Sequence, residues 1–259
     1  MTLKNLITTD MARNDSTSSP QSSGPAARPP IPQHRHAYRY DLDGLRGLAI
    51  ALVVIFHIWF GRVSGGVDVF LTLSGFFFIG SQMRNVDRYG SLNPLRSIWK
   101  TARRLLPTMV VVLAAVGVGV IFIFPRTRWA NVNDQVLASL FYYQNWKLAE
   151  QSEDYAQAGA TVSPLQHLWS MSVQGQFYVI IILLCCGLGW LLHRFWPGKS
   201  IFTPMAVILG IGTVLSFIYA IYLHREDQML NYYNTWSRMW ELFLGGLLAT
   251  VMHKIQIRN

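Results

Sequence analysis

The 259 residues are 51% hydrophobic and only 14% charged, which excludes an ordinary soluble domain, where about a quarter of residues carry charge. The net charge of +9 would suit nucleic acid, but the basic residues punctuate apolar runs and lay out no basic face, which argues against nucleic-acid binding. The two cysteines, Cys185 and Cys186, are adjacent inside an apolar run and read as buried thiols, without a disulfide framework or metal-site spacing.

Residues 1–37 are polar and rich in Ser, Pro, Ala and Arg. No run there could form the apolar core of a signal peptide, and the expectation is a disordered cytoplasmic tail. His34 and His36 in that tail read as solvated side chains rather than metal ligands. Residues 38–259 read as all-α, a polytopic transmembrane helix bundle of about six spans, near 44–62, 66–83, 105–124, 175–193, 203–223 and 236–253. Each is close to the length that crosses about 30 Å of hydrocarbon. The tail, loop 84–104, the link between spans four and five, and the C-terminus hold 15 of the 22 Lys and Arg residues. The opposite loops hold five, so the positive-inside rule puts both termini in the cytoplasm, as an even span count requires. Segment 125–174 then lies outside. Its aromatics (Trp129, Phe141, Tyr142, Tyr143, Trp146) suit an interfacial belt, and its length allows a partly buried piece.

The stretch Asp41–Phe78 concentrates ionisable residues on apolar segments: Arg46 and His57 on the first, Asp68 at the start of the second. A charge inside a bilayer helix costs about 2.5–3.5 kcal/mol on insertion scales, so it usually faces a cavity. Arg46 and His57 are eleven residues apart, which returns to within roughly 20° of one helix face, about 16 Å along it. Two readings stand: a snorkelling Arg with a hydrogen-bonded His, or a working pair with a proton-handling group. Asp68 could orient His57, pair with Arg46, or simply begin a helix. Arg103-Arg104-Leu105-Leu106-Pro107 is either a topology signal or a cytoplasmic phosphate site. Pro107 is expected in the first turn of span three, with Arg104 at that helix's mouth. His167, Trp169, Ser170 and Ser172 cluster before span four, without an elbow motif to support a Ser–His nucleophile. Arg238 and Glu241, three apart, can pair along one face of the last span.

Five motifs occur in order: Arg46-(ten residues)-His57; Gly66-Val67-Asp68-Val69-Phe70 with Leu73-Ser74-Gly75-Phe76; Arg103-Arg104-Leu105-Leu106-Pro107; Leu165 to Tyr178; and Arg238-Met239-Trp240-Glu241-Leu242. Together, from about Tyr40 to the C-terminus, they resemble acyltransferase family 3, the bacterial integral membrane O-acyltransferases. The resemblance implies transfer of an acyl group, acetyl above all, from acyl-CoA to a hydroxyl of an envelope glycan or glycolipid. It implies a multi-pass protein of the bacterial cell membrane that holds no bound cofactor or metal and uses acyl-CoA as donor substrate. On it His57 activates the acceptor hydroxyl, with Asp68 a second catalytic candidate. Arg46 and Arg104 hold the donor, and Ser74, His167 and Trp169 join them as substrate-binding residues.

Two departures qualify the resemblance. Gln174-Gly175 stands where the family commonly has a glutamate. The family's membrane domain also has more helices than this chain, so a chain incomplete at its C-terminus is expected. An inactive truncated protein or partner subunit is the first alternative, and a transporter using Arg46, His57 and Asp68 as its path is the second.

Overall fold

The computed structural model describes residues 40–55, 65–90, 92–150 and 163–258. The expected tail over 1–37, and His57, lie outside the described residues. Every regular element among the described residues is helical. In order these are α1 (Tyr40–Ile55), α2 (Gly66–Tyr89), α3 (Pro94–Ile123), α4 (Trp129–Leu140), α5 (144–150), α6 (Trp169–Phe195), α7 (Phe202–Glu226), α8 (Gln228–Tyr233) and α9 (Thr235–Arg258). Short 3-10 turns, Arg126–Arg128 and Gln166–Leu168, lead into α4 and α6.

Among the described residues, four helical segments are long and apolar enough to cross a membrane: Gly66–Tyr89, Pro94–Ile123, Gln166–Phe195 and Phe202–Glu226. The chain is an integral membrane protein. On α7, Val207, Ile211, Val214 and Ile218 are exposed along one stripe, which suits contact with hydrocarbon. The equally long α9 carries Arg238 and Glu241 in its first two turns.

One boundary differs from the expectation. The sequence suggested a loop over 84–104 and a helix starting near Pro107. Instead α2 runs on to Tyr89, Gly90 turns the chain at φ +78°, and α3 begins at Pro94. The side chain of Asn93 caps α3, accepting from the Arg96 amide at 3.2 Å. An Asn cap followed by Pro at the first helical position is a strong start signal, and the Arg and Lys residues between are good helix formers. Pro107 therefore lies inside the helix, and Arg104 is not at a helix N-terminus. At 30 residues α3 rises about 45 Å, so its basic first turns extend beyond a hydrocarbon layer of about 30 Å.

The core is built on α9, which packs between α2 and α7. Leu71, Ile79 and Met83 of α2 meet Phe177 and Ile181 of α6, Met205 and Leu209 of α7, and Leu242 of α9. In a bilayer, apolar burial drives helices together weakly, and close backbone approach through small residues matters more. The α2–α9 seam has that form. A Cβ on Gly75 would sit 2.0 Å from the Leu242 carbonyl oxygen, and one on Gly245 would sit 1.9 Å from the Thr72 carbonyl oxygen. Neither gap can open by moving a flexible side chain, because both obstacles are backbone.

Gly245→Ala is therefore expected to destabilise the bundle by about 1–3 kcal/mol, the usual cost of overpacking. Gly187→Ala, where an added Cβ meets nothing within 4 Å, is expected to be silent. The thermal midpoints of the two detergent-solubilised variants against wild type are the measurement; equal midpoints would refute the seam.

Candidate active site

Two regions of the bundle hold the chemistry, and α2 runs between them. The first is a charged cluster where α2, α6 and α9 begin. Arg238 Nη1 donates to Asp68 Oδ1 at 3.2 Å and to Glu241 Oε1 at 2.9 Å, and its Nε donates to the Tyr232 carbonyl at 3.2 Å. The guanidinium also lies over the rings of Tyr232 and Trp169, at 4.9 and 5.7 Å from their centroids. Glu241 is fully buried, and a buried carboxylate persists only with such a partner. Asp68 is half exposed, in the first turn of α2. Burial pushes the Tyr232 phenol up to about 12, so it remains a neutral hydrogen-bonding group.

The described parts of the long segment 125–174, residues 125–150 and 163–174, brace this end. Gln144 and Asn145, at the start of α5, are both fully buried. Asn145 Nδ2 donates to the Tyr233 carbonyl at 3.0 Å and to Thr235 Oγ1 at 2.9 Å. Gln176 of α6 donates to the Tyr142 carbonyl at 2.7 Å and to Asn145 Oδ1 at 2.9 Å, and accepts from Thr235 Oγ1 at 2.6 Å. This amide network ties α5, α6 and the α8–α9 junction together. The same segment explains Gly175: its missing side chain leaves room for the Tyr142 ring, which a Cβ would meet at 2.2 Å. Tyr142 itself holds a left-handed φ of +60°.

The second region is a cavity of about 1120 Å³ between α2, α3 and α6. On α2 its lining begins at Phe70 and ends at Tyr89, a rise of about 28 Å, nearly the thickness of a hydrocarbon core. Arg96, Lys100 and Arg104 line one side of the mouth, four residues apart on one face of α3. Arg103 lies about 100° away on that helix, and it is not among the lining residues. The inner wall is aromatic, with Phe70, Phe77 and Phe78, and Phe78 stacks on Tyr178 at 3.7 Å. Three polar residues interrupt it: Ser74, Gln174 and Tyr178, with Gln174 Nε2 donating to the Tyr178 hydroxyl, and between this wall and the mouth the α2 lining is polar, at Ser81, Gln82 and Asn85. The inner end, at Phe70, is two residues from Asp68, so the cavity stops just short of the charged cluster.

The residues singled out in the sequence fall into these two regions. Ser74 and Arg104 line the cavity. Asp68 and Trp169 belong to the cluster, with His167 exposed in the turn two residues before Trp169. Asp68 pairs with Arg238, a partner the sequence had assigned only to Glu241. Arg46 is on α1, but its side chain, like His57, lies outside the described residues. Gln144, Asn145 and Gln176 were missed. The available signal was an amide pair inside an aromatic stretch, which nothing local marks as buried.

Comparison with known proteins agrees with this arrangement. The family profile described as an acyltransferase domain matches residues 39–259. A protein of Staphylococcus aureus named as a candidate O-acetyltransferase is 29% identical over 86% of this chain and 36% of its own length. BcsY of Komagataeibacter xylinus, named as a candidate membrane-bound transacylase, is 32% identical over 81% of this chain and 50% of its own length. The peptidoglycan O-acetyltransferase OatA of Listeria monocytogenes is 30% identical over 84% and 35%. The chain thus spans about a third to a half of the relatives it matches. No solved structure is detectably similar. With the profile covering all of the described helices, the chain belongs to acyltransferase family 3.

Proposed function

We propose that this membrane domain moves an acyl group, acetyl in the first instance, from acyl-CoA to a hydroxyl of an envelope glycan or glycolipid. The observation that carries the reading is the cavity along α2. It has a basic mouth, a polar middle at Ser81, Gln82 and Asn85, an aromatic shaft further in, and an inner end beside a half-exposed carboxylate. A donor with a polyanionic head and a long thin arm matches that shape: guanidinium and ammonium groups meet phosphates, and the aromatic shaft excludes water from the thioester. The glycan acceptor is suggested by the printed activity of OatA.

In the reaction the acceptor oxygen attacks the thioester carbonyl carbon. The C–O bond forms, the C–S bond breaks, and the hydroxyl proton passes through a base to the departing thiolate, giving an ester and free CoA. The family resemblance assigns that base to His57 and makes Arg46 a further donor-binding group, and Asp68 is the candidate orienter of the base. The chain would cross the bilayer six times with both termini in the cytoplasm, the mouth of the cavity facing the cytoplasmic acyl-CoA pool. The basic-residue asymmetry supports that orientation. The acceptor would then meet the cluster end from outside, in the bacterial cell membrane.

Orientation is tested with Ser97→Cys, near the mouth. An impermeant thiol reagent added to intact cells should leave it unlabelled and label it once the membrane is opened. Labelling of intact cells would reverse the topology.

For the donor site, Arg104→Lys keeps the charge but loses the planar fork, and should weaken acyl-CoA binding to purified protein several-fold. Arg103→Lys should bind like wild type. Equal affinities for all three proteins would return Arg104 to a mere topology signal.

His57→Ala should lower acetyl incorporation into envelope material by about 10²–10⁴ at equal protein level, the range for losing a general base. Undiminished incorporation would remove His57 from the reaction.

A further inference from the structure

We propose that Ser74, supported by Gln174 and Tyr178, forms the subsite that receives the thioester carbonyl of the donor, with the Ser74 hydroxyl donating to the carbonyl oxygen. The inference rests on the donor reading above and names the place in the cavity where the reacting group stops.

Three observations carry it. First, Ser74 is 2% exposed, lines the cavity, and its Oγ has no hydrogen-bond partner among the described residues. A helical Ser or Thr hydroxyl normally satisfies itself on the carbonyl four residues back. Thr72 does so one turn away, donating to the Asp68 carbonyl at 2.9 Å, as Thr213 does to the Leu209 carbonyl at 2.7 Å. Ser74 leaves that option unused and keeps a buried donor uncompensated, which is costly unless something else accepts it.

Second, Ser74 lies one helical turn from Phe78, whose ring stacks on Tyr178, and all of these line the cavity. Gln174, 6% exposed, lines the same wall and holds the Tyr178 hydroxyl, while the stack on Phe78 fixes the Tyr178 ring. Around them the wall is Phe70, Phe77 and Met171, a pocket suited to a short apolar acyl chain. The α2 side of the lining is polar nearer the mouth, at Ser81, Gln82 and Asn85, and turns aromatic inward, so the inner polar groups are where a ligand's single inner carbonyl stops.

Third, the depth is right. Ser74 lies about 22 Å along α2 from Tyr89 at the mouth. The arm between the diphosphate and the sulfur of CoA is about as long as five extended residues, roughly 17 Å. That falls about 5 Å short of the full depth, and the row of Arg96, Lys100 and Arg104, which spans about 12 Å of α3, can hold the phosphates that much inside the mouth. The orientation of Ser74 is also rigid. Its neighbour Gly75 is pressed against the Leu242 carbonyl, which turns the next position along the helix, about 100° round, toward the cavity.

The test compares acetyl-CoA with CoA, which lacks the acyl carbonyl, by calorimetric titration of the purified full chain and of Ser74→Ala. Wild type should prefer acetyl-CoA. Ser74→Ala should bind acetyl-CoA about tenfold more weakly, the effect of one lost hydrogen bond, and bind CoA as wild type does. Unchanged CoA binding also shows that the variant is folded. A second readout is the infrared carbonyl stretch of acetyl-CoA labelled with carbon-13 at the thioester. It should move to lower frequency on binding wild type and stay near its solution value on Ser74→Ala. The subsite is overturned if Ser74→Ala weakens both ligands equally, if it weakens neither, or if wild type binds the two alike. In those cases the donor reading still stands. If wild type binds neither ligand, the donor reading itself fails.

Discussion

The close approach of α2 to α9 is the constraint on which the rest of this structure depends. Two glycines, Gly75 and Gly245, let the backbones meet where a methyl group has no room. Because the contact is backbone against side-chain vacancy, it sets rotation as well as distance. With Gly75 turned to α9, Ser74 faces the cavity and Asp68, nearly two turns earlier, comes opposite Arg238. A bundle held by large apolar side chains could slide or rotate by a fraction of a turn at little cost, since lipid replaces protein contacts almost evenly. A glycine seam cannot, and both halves of the site inherit its precision.

The charged cluster is the second fixed point. Arg238 satisfies two carboxyl groups, one backbone carbonyl and two aromatic faces at once. Such an arrangement stabilises little by itself, because desolvating the ions offsets most of their attraction. Its consequence is geometric. It locks the first turn of α2 to α8, α9 and the start of α6, so that Asp68 stays half exposed at a defined point near the inner end of the cavity. The amide network of Asn145 and Gln176 does the same for the segment between α3 and α6, folding a nominal loop into the bundle. Gly175, in the Gln174-Gly175 pair that stands where a family glutamate was expected, is part of that bracing: Tyr142 fills the space its side chain would occupy.

The cavity and the cluster divide the work. A mouth lined by three cations at four-residue spacing carries positive charge that suits anions. The phenylalanines at the cavity's inner end lower the local dielectric, so the polar groups among them act more strongly than they would in solvent. The lining spans nearly the hydrocarbon thickness, from the basic mouth to the neighbourhood of the charged cluster.

By itself the sequence determined the class of molecule. Apolar runs of bilayer length can satisfy their backbone only as helices, so an all-helical membrane protein followed from composition and run length. The order of five motifs determined the family, and the three-residue spacing of Arg238 and Glu241 predicted their pairing, because helical periodicity is local. The start of α3 was also written locally, in Asn93-Pro94, although the search for apolar runs passed over it because the following turns are basic. What only the tertiary structure decided is nonlocal. The partnership of Asp68 with Arg238, 170 residues away, depends on how α2 and α9 rotate against each other. So do the burial of Gln144 and Asn145, the grouping of Ser74 with Gln174 and Tyr178, and the exclusion of Arg103 from the cavity that Arg104 lines. Spacing along one helix shows which residues share a face; which faces meet is set by the glycine seam, and no single segment carries that information.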